Sequence, residues 1–149
     1  ADGFDEVEAI VILSVLRRAG VYAKSVGLTS GLINGSHGIL MMPDFALTEL
    51  DRLVDINSIE LIVLPGGERN LAKLEPDPRI HRLLRQVVAQ RGFVATNTQG
   101  VQILKTALGL INIEEHGKND HIILRYPLEQ PVDQFAQSLM RRLERPSRA

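Results

Sequence analysis

The residues of this chain that could do chemistry gather around a threonine. Phe93-Val94-Ala95-Thr96 is a short β-prone run that passes through Asn97-Thr98-Gln99-Gly100 into an apolar pattern of helical spacing, Val101, Leu104, Ala107 and Leu108. A strand turning straight into a helix lifts one side chain clear of the sheet and aims the first free N–H groups of the helix at whatever binds there. The lifted residue is Thr98. Two further stretches belong with it: the turn Pro65-Gly66-Gly67, which ends the apolar run 59–64, and Glu8, which follows the loop-like opening Ala1-Asp2-Gly3-Phe4. If the strands are parallel, all three lie beyond strand carboxyl ends on one edge of the sheet. The N–H groups of Gly67 and Gln99 would then form a pocket for an oxyanion or a carboxylate, and Glu8 could share a proton with the group at position 98.

Each piece also has a plainer reading. Pro-Gly-Gly makes an ordinary tight turn, and Glu8 stands three residues after Asp5, the spacing of a capping box. A threonine hydroxyl is a poor nucleophile until a base takes its proton. The histidines offer no obvious base: His37 falls in a turn, His81 on a helix surface and His116 in a polar loop, and His121 opens a strand. No pair has metal-ligand spacing, and no glycine-rich loop has a nucleotide-binding pattern, so no metal or cofactor is expected.

The elements that must position these residues follow from periodicity. Asp5 caps a helix whose apolar pattern runs from Val7 through Leu16 to Gly20. Residues 21–26 alternate as a strand, and 31–42, broken at Asn34-Gly35, read as a hairpin. Residues 44–53 read as helix, 59–64 as a strand buried on both faces, and 78–88 as a helix opened by Pro78 and stopped at Gly92. Residues 121–125 form a further strand and 132–143 a closing amphipathic helix. Alternation of this kind defines a doubly wound α/β domain with a mostly parallel sheet flanked by helices.

Composition bounds the function. A length of 149 residues suits one domain, and a net charge of −1 gives no overall field for nucleic acid or membrane. The basic tail, Arg141, Arg142, Arg145 and Arg148, suits a solvated helix end. The absence of cysteine removes disulfides, thiolate metal sites and thiol nucleophiles. Without a membrane-length apolar run or a signal peptide, a cytoplasmic location is the expectation.

Several separated motifs also carry a resemblance. Ala1-Asp2-Gly3-Phe4-Asp5-Glu6-Val7-Glu8-Ala9, Val15 to Gly20, Gly35-Ser36-His37-Gly38, Val63-Leu64-Pro65-Gly66-Gly67 and Asp77-Pro78-Arg79 resemble, in order and spacing, the bacterial DJ-1-like branch of the DJ-1/PfpI (ThiJ) superfamily. The likeness runs from Ala1 to about Leu110. It implies a flavodoxin-like fold, shared in part with class I glutamine amidotransferases, and a homodimer. Glu8 matches the family's glutamate that bonds the reactive cysteine, and Gly67 and Gln99 match its backbone oxyanion donors. Thr98 stands in the cysteine's place. The family's redox sensing, glyoxalase and proposed deglycase activities run through that thiol, and a hydroxyl cannot follow it to a sulfinate.

Other departures concern length. The family's central strand before the Ala1 motif is absent from residues 1–149, and so is a segment near 111–112 with the family's histidine. Pro127-Leu128-Glu129-Gln130-Pro131 replaces a Gly-Pro-Gly loop. Loss of a central strand would expose apolar edges. The expectation is therefore a single, apparently shortened domain, a pseudoenzyme that binds a small carbonyl or carboxylate ligand in a regulatory or stress-related role. The alternative is a glyoxalase-like or hydrolytic enzyme using Thr98 or a Glu8-activated water.

Overall fold

The computed structural model describes residues 1–110 and 120–144. The expected shortening near 111–112, His116, and Arg145 and Arg148 of the tail lie outside the described residues. In chain order the elements are α1 (Glu6–Arg18), β1 (Val26–Gly27), β2 (Ile33–Asn34), β3 (Leu40–Met41), β4 (Phe45–Ala46), α2 (Leu50–Leu53), β5 (Leu61–Leu64), α3 (Glu68–Leu74), α4 (Pro78–Ala89), β6 (Phe93–Asn97), α5 (Val101–Leu108), β7 (Ile122–Arg125) and α6 (Val132–Glu144).

The centre is a parallel sheet in the order β5-β6-β7, with Leu64 opposite Thr96 and Asn97 opposite Arg125. Its strands are apolar on both faces because helices cover both. Leu64, Val94, Ile103, Leu104 and Leu84 fill the core beneath α4 and α5. Ala95, Ile12, Leu16, Phe135 and Leu139 fill the core beneath α1 and α6. Alternate residues of β5 divide the same way, Ile62 to the first core and Leu61 and Val63 to the second. This is the doubly wound arrangement that the periodicity implies.

The first half of the chain is less regular than its sequence pattern suggests. Of residues 21–26, only the end pairs, as β1 beside β4, and the stretch before it has no regular secondary structure, with the Ala23 N–H donating to Val21 O at 2.9 Å. Residues 44–53 begin as β4, tighten into a 3₁₀ turn at Leu47–Glu49, and reach α-helix only over α2. Helix α3 follows the glycine turn directly and was not legible from periodicity over its seven residues. Residues 31–42 do form the expected antiparallel hairpin, β2 with β3.

A buried carboxylate ties this hairpin to α1. Glu6 accepts hydrogen bonds from the His37 N–H at 2.6 Å, the Ser36 hydroxyl at 2.9 Å and the Ile39 N–H at 3.4 Å, and its other contact is His37 Nδ1 at 3.0 Å. A Cβ at Gly35 would collide with the Glu6 side chain, so glycine is required for the approach. Burial alone would raise the Glu6 carboxyl. The bonds from His37, from its own backbone and from Ser36 outweigh burial and bring it from 4.5 down to about 2. The bond and charge of Glu6 raise His37 above its ordinary 6.5.

The signs of these shifts set a pH window. A depressed Glu6 stabilises the fold above about pH 4.5 and loses that contribution as pH falls toward 2, whereas a raised His37 stabilises it below about 6.5 and loses its part as pH rises. The clasp is therefore strongest between those values. Thermal unfolding of wild type is expected to show greater stability relative to Glu6→Gln inside that window than at pH 3 or pH 9; a difference independent of pH would contradict it.

Candidate functional site

The turn after β5 and the turn after β6 meet because their strands are neighbours in register, and α1 brings Glu8 to them across the sheet's carboxyl edge. Asp5 caps α1, its Oδ1 accepting the Glu8 N–H at 2.9 Å, while the Asp5 N–H donates to Gly66 O at 2.9 Å. The Glu8 carboxyl does not turn back to complete a capping box. It enters the interior, 1% exposed, where Oε2 accepts from the Gly66 N–H at 3.1 Å and from Asn97 Nδ2 at 2.9 Å. Arg125 Nη1 stands 3.9 Å from the same oxygen.

Glu8 Oε1 is buried with no hydrogen-bond partner among the described residues. A charged carboxylate left half-satisfied in the interior is costly, and burial accordingly raises the Glu8 pKa; the Gly66 N–H, Arg125 and Asn97 only partly oppose the shift. The neutral acid carries its proton best on Oε1, because Oε2 already accepts two N–H groups.

Glycine is mandatory in the turn. A Cβ at Gly66 would collide with Asn97 Nδ2 and lie 2.9 Å from Glu8 Oε2, and Gly67 takes φ +102°, a left-handed conformation that side chains avoid. The buried Asn70 amide pins the turn by donating to Pro65 O at 2.8 Å.

Thr98 begins a 3₁₀ turn, Thr98–Gly100, with an exposed side chain whose hydroxyl has no hydrogen-bond partner among the described residues. Its φ is not positive. Arg91, in the turn that precedes β6 at the opposite end of the strand, is the one non-glycine with positive φ among the described residues. Glu8 bonds the neighbouring Asn97 rather than Thr98. The two backbone donors singled out in the sequence are both engaged: the Gly67 N–H donates to Gln99 Oε1 at 3.2 Å, and the Gln99 N–H donates to Asn97 Oδ1 at 2.9 Å.

The described histidines lie elsewhere. His37 bonds Glu6, His81 Nε2 approaches Glu75 O, and His121 Nδ1 meets Gly92 O at the amino end of the strands. Thr98, Gln99 and Asn97 open onto a cleft of about 370 Å³, whose remaining walls are Asp5, Arg125 and the loop 126–129. No group of acidic residues and histidines among the described residues is placed to hold a metal ion.

Sequence reasoning missed two participants. Asn97 is a polar residue closing a buried strand, and Arg125 is the last residue of β7, the position where the carboxyl-end rule places functional groups. Applying that rule to every strand would have found both.

Fold and site together define an α/β protein with a strand-to-helix elbow facing a glycine turn and a buried glutamate. The sequence model of the DJ-1/PfpI family matches residues 1–122, and the chain belongs to that family. It is 30% identical over 96 residues to protein dj-1beta of Drosophila melanogaster, covering 64% of this chain and 49% of that protein. It is 32% identical over 114 residues to a deglycase of Thermococcus kodakarensis, covering 72% of this chain and 61% of that protein. The chain spans about half the length of the first curated relatives it matches. Among solved structures, oxidized DJ-1 of Toxoplasma gondii superposes with a TM-score of 0.80 at 17% identity, covering 96% of this chain and 86% of that one, a likeness of fold.

The raised Glu8 pKa has a measurable consequence. A group protonated more readily in the folded state stabilises below its unfolded pKa and loses that contribution as pH rises through the folded value. Glu8→Gln keeps an acceptor for Gly66 and Asn97 and carries no charge. Urea unfolding is therefore expected to show Glu8→Gln gaining stability relative to wild type as pH rises from 4 to 8. A difference that shrinks over that range would contradict the assignment.

Proposed function

We propose that residues 1–149 act as one DJ-1/PfpI-like unit that binds a small carbonyl or carboxylate ligand at the Thr98 cleft without turning it over, in a regulatory or stress-related role. The observation that carries this reading is the self-occupied pocket. Both backbone donors that would stabilise an oxyanion, Gly67 and Gln99, already bond side-chain oxygens of the elbow itself. Thr98 adds to it, as a hydroxyl with no base among the described residues is far from the nucleophile that such an elbow serves elsewhere. Exposed apolar residues at the start of α1 and on the β2–β3 hairpin, Val7, Ile10, Leu40 and Met42, support assembly as a homodimer.

A second reading rests on Glu8. A buried acid with an unpartnered oxygen suits proton transfer to a bound carbonyl, and the similar proteins include a glutathione-independent glyoxalase of Caenorhabditis elegans and the Thermococcus deglycase. Assays with methylglyoxal and with a glycated peptide separate the two. The binding reading expects no turnover by wild type, and peroxide-sensitive oxidation at residue 98 in Thr98→Cys. Turnover by wild type that falls by ~10²–10⁴ in Glu8→Ala favours the enzyme. A Thr98→Cys variant inert to peroxide contradicts a retained pocket.

A further inference from the structure

Arg125 is a cation with few partners among the described residues. Its side chain is 13% exposed, its Nε donates to Gln130 O at 3.0 Å, and its nearest carboxylate oxygen, Glu8 Oε2, is 3.9 Å away, beyond hydrogen-bond length. Among the described residues its Nη2 bonds nothing. Burial raises the Glu8 pKa, and the 3.9 Å separation leaves the guanidinium without a hydrogen-bonded carboxylate among the described residues. A largely buried charge calls for a counter-ion, and the planar guanidinium fork matches a carboxylate with two parallel bonds.

The same cleft contains two carboxylates, Asp5 and Glu129. Asp5 uses Oδ1 to cap α1 and has no partner on Oδ2 among the described residues, and Glu129 is exposed on the loop after β7. A simple anion drawn to Arg125 would meet both of them and be repelled. A ligand that carries an ammonium beside its carboxylate would meet favourable charge at each end. The remaining wall is apolar or aromatic, Tyr126, Pro127 and Leu128, with Leu128 wholly exposed to solvent. A cleft of about 370 Å³ has the size for one small molecule.

The geometry points to a free α-amino acid with an apolar side chain as the ligand class, its carboxylate on Arg125, its ammonium toward Asp5 and Glu129, and its side chain on the 126–128 loop. This rests on the ligand-binding reading above and narrows it. Thr98 offers its free hydroxyl as a further donor to the carboxylate, a role that needs no ionisation and that threonine fills well.

The test titrates the full chain with L-leucine, with 4-methyl-2-oxopentanoate, which keeps the carboxylate and lacks the ammonium, with L-leucine methyl ester, which does the reverse, and with methylglyoxal. Backbone amide shifts of residues 97–99, 125, 126, 128 and 129 report binding. Leucine is expected to bind about tenfold or more tighter than the oxo acid or the ester. Arg125→Gln is expected to weaken leucine about ten- to hundred-fold, with part of the loss recovered in Arg125→Lys. Glu129→Gln is expected to weaken leucine about two- to fivefold and not to weaken the oxo acid.

Equal binding of leucine and the oxo acid overturns the zwitterion. Methylglyoxal binding without leucine binding overturns the amino acid and leaves the ligand reading standing, whereas silence from every probe overturns both. Equal losses in Arg125→Gln and Arg125→Lys, with shifts spread over loop 126–130, would assign Arg125 a structural role and overturn its part.

Discussion

The carboxyl of Glu8 is the interaction on which this site depends. One oxygen gathers the Gly66 N–H and the Asn97 amide, so a single buried group joins the start of α1, the turn after β5 and the end of β6. Asp5 holds the backbone of Glu8 in place from behind, and Arg125 approaches from β7. The cost of burying an acid is met by two hydrogen bonds and by a shift toward the neutral form. Glycine at position 66 follows from this arrangement, since any larger residue would displace Asn97 or the carboxyl itself.

The same constraint decides what the elbow can do. Asn97 faces Glu8 with its amide and caps the Gln99 N–H with its oxygen, so the turn closes on itself without a positive φ at Thr98 and leaves that residue outside. An elbow built to drive a nucleophile holds it in strain, next to free donors and a base. Here the donors are satisfied and the hydroxyl faces the cleft. The proposed ligand-binding reading follows from these satisfied donors and from the partly buried cation at Arg125. The DJ-1/PfpI family model matches this chain although residue 98 is threonine and the sequence has no cysteine.

Much of the fold was legible from residue pattern. The short apolar strands around Val63 and Val94, the Asp5 cap, Pro78 at the head of α4 and the amphipathic face of α6 all take their form from local chemistry that tertiary contacts reinforce. Residues 21–26 were harder because alternation shows a side-chain period and says nothing of whether a neighbouring strand is there to pair with. Residues 44–53 mix a strand end, a 3₁₀ turn and one helical turn, too short for any period to settle. At the site, Thr98, Gly67 and Gln99 were visible as residue types beyond strand ends, and Glu8 as an acid in the first turn of α1. Their bonding was not, because whether a backbone donor is free depends on where the side chains of Asn97 and Gln99 turn. The partner of Glu8 proved to be Asn97, one residue before the expected position 98.

The protonation of Glu8 tests this account most directly. A carbon-13 carboxyl titration by NMR is expected to place Glu8 above the usual glutamate range, in a fold that stays intact throughout. A Glu8 carboxyl that titrates at or below its ordinary value would mean a charged, well-partnered glutamate, and would contradict the half-satisfied buried acid around which the site is built.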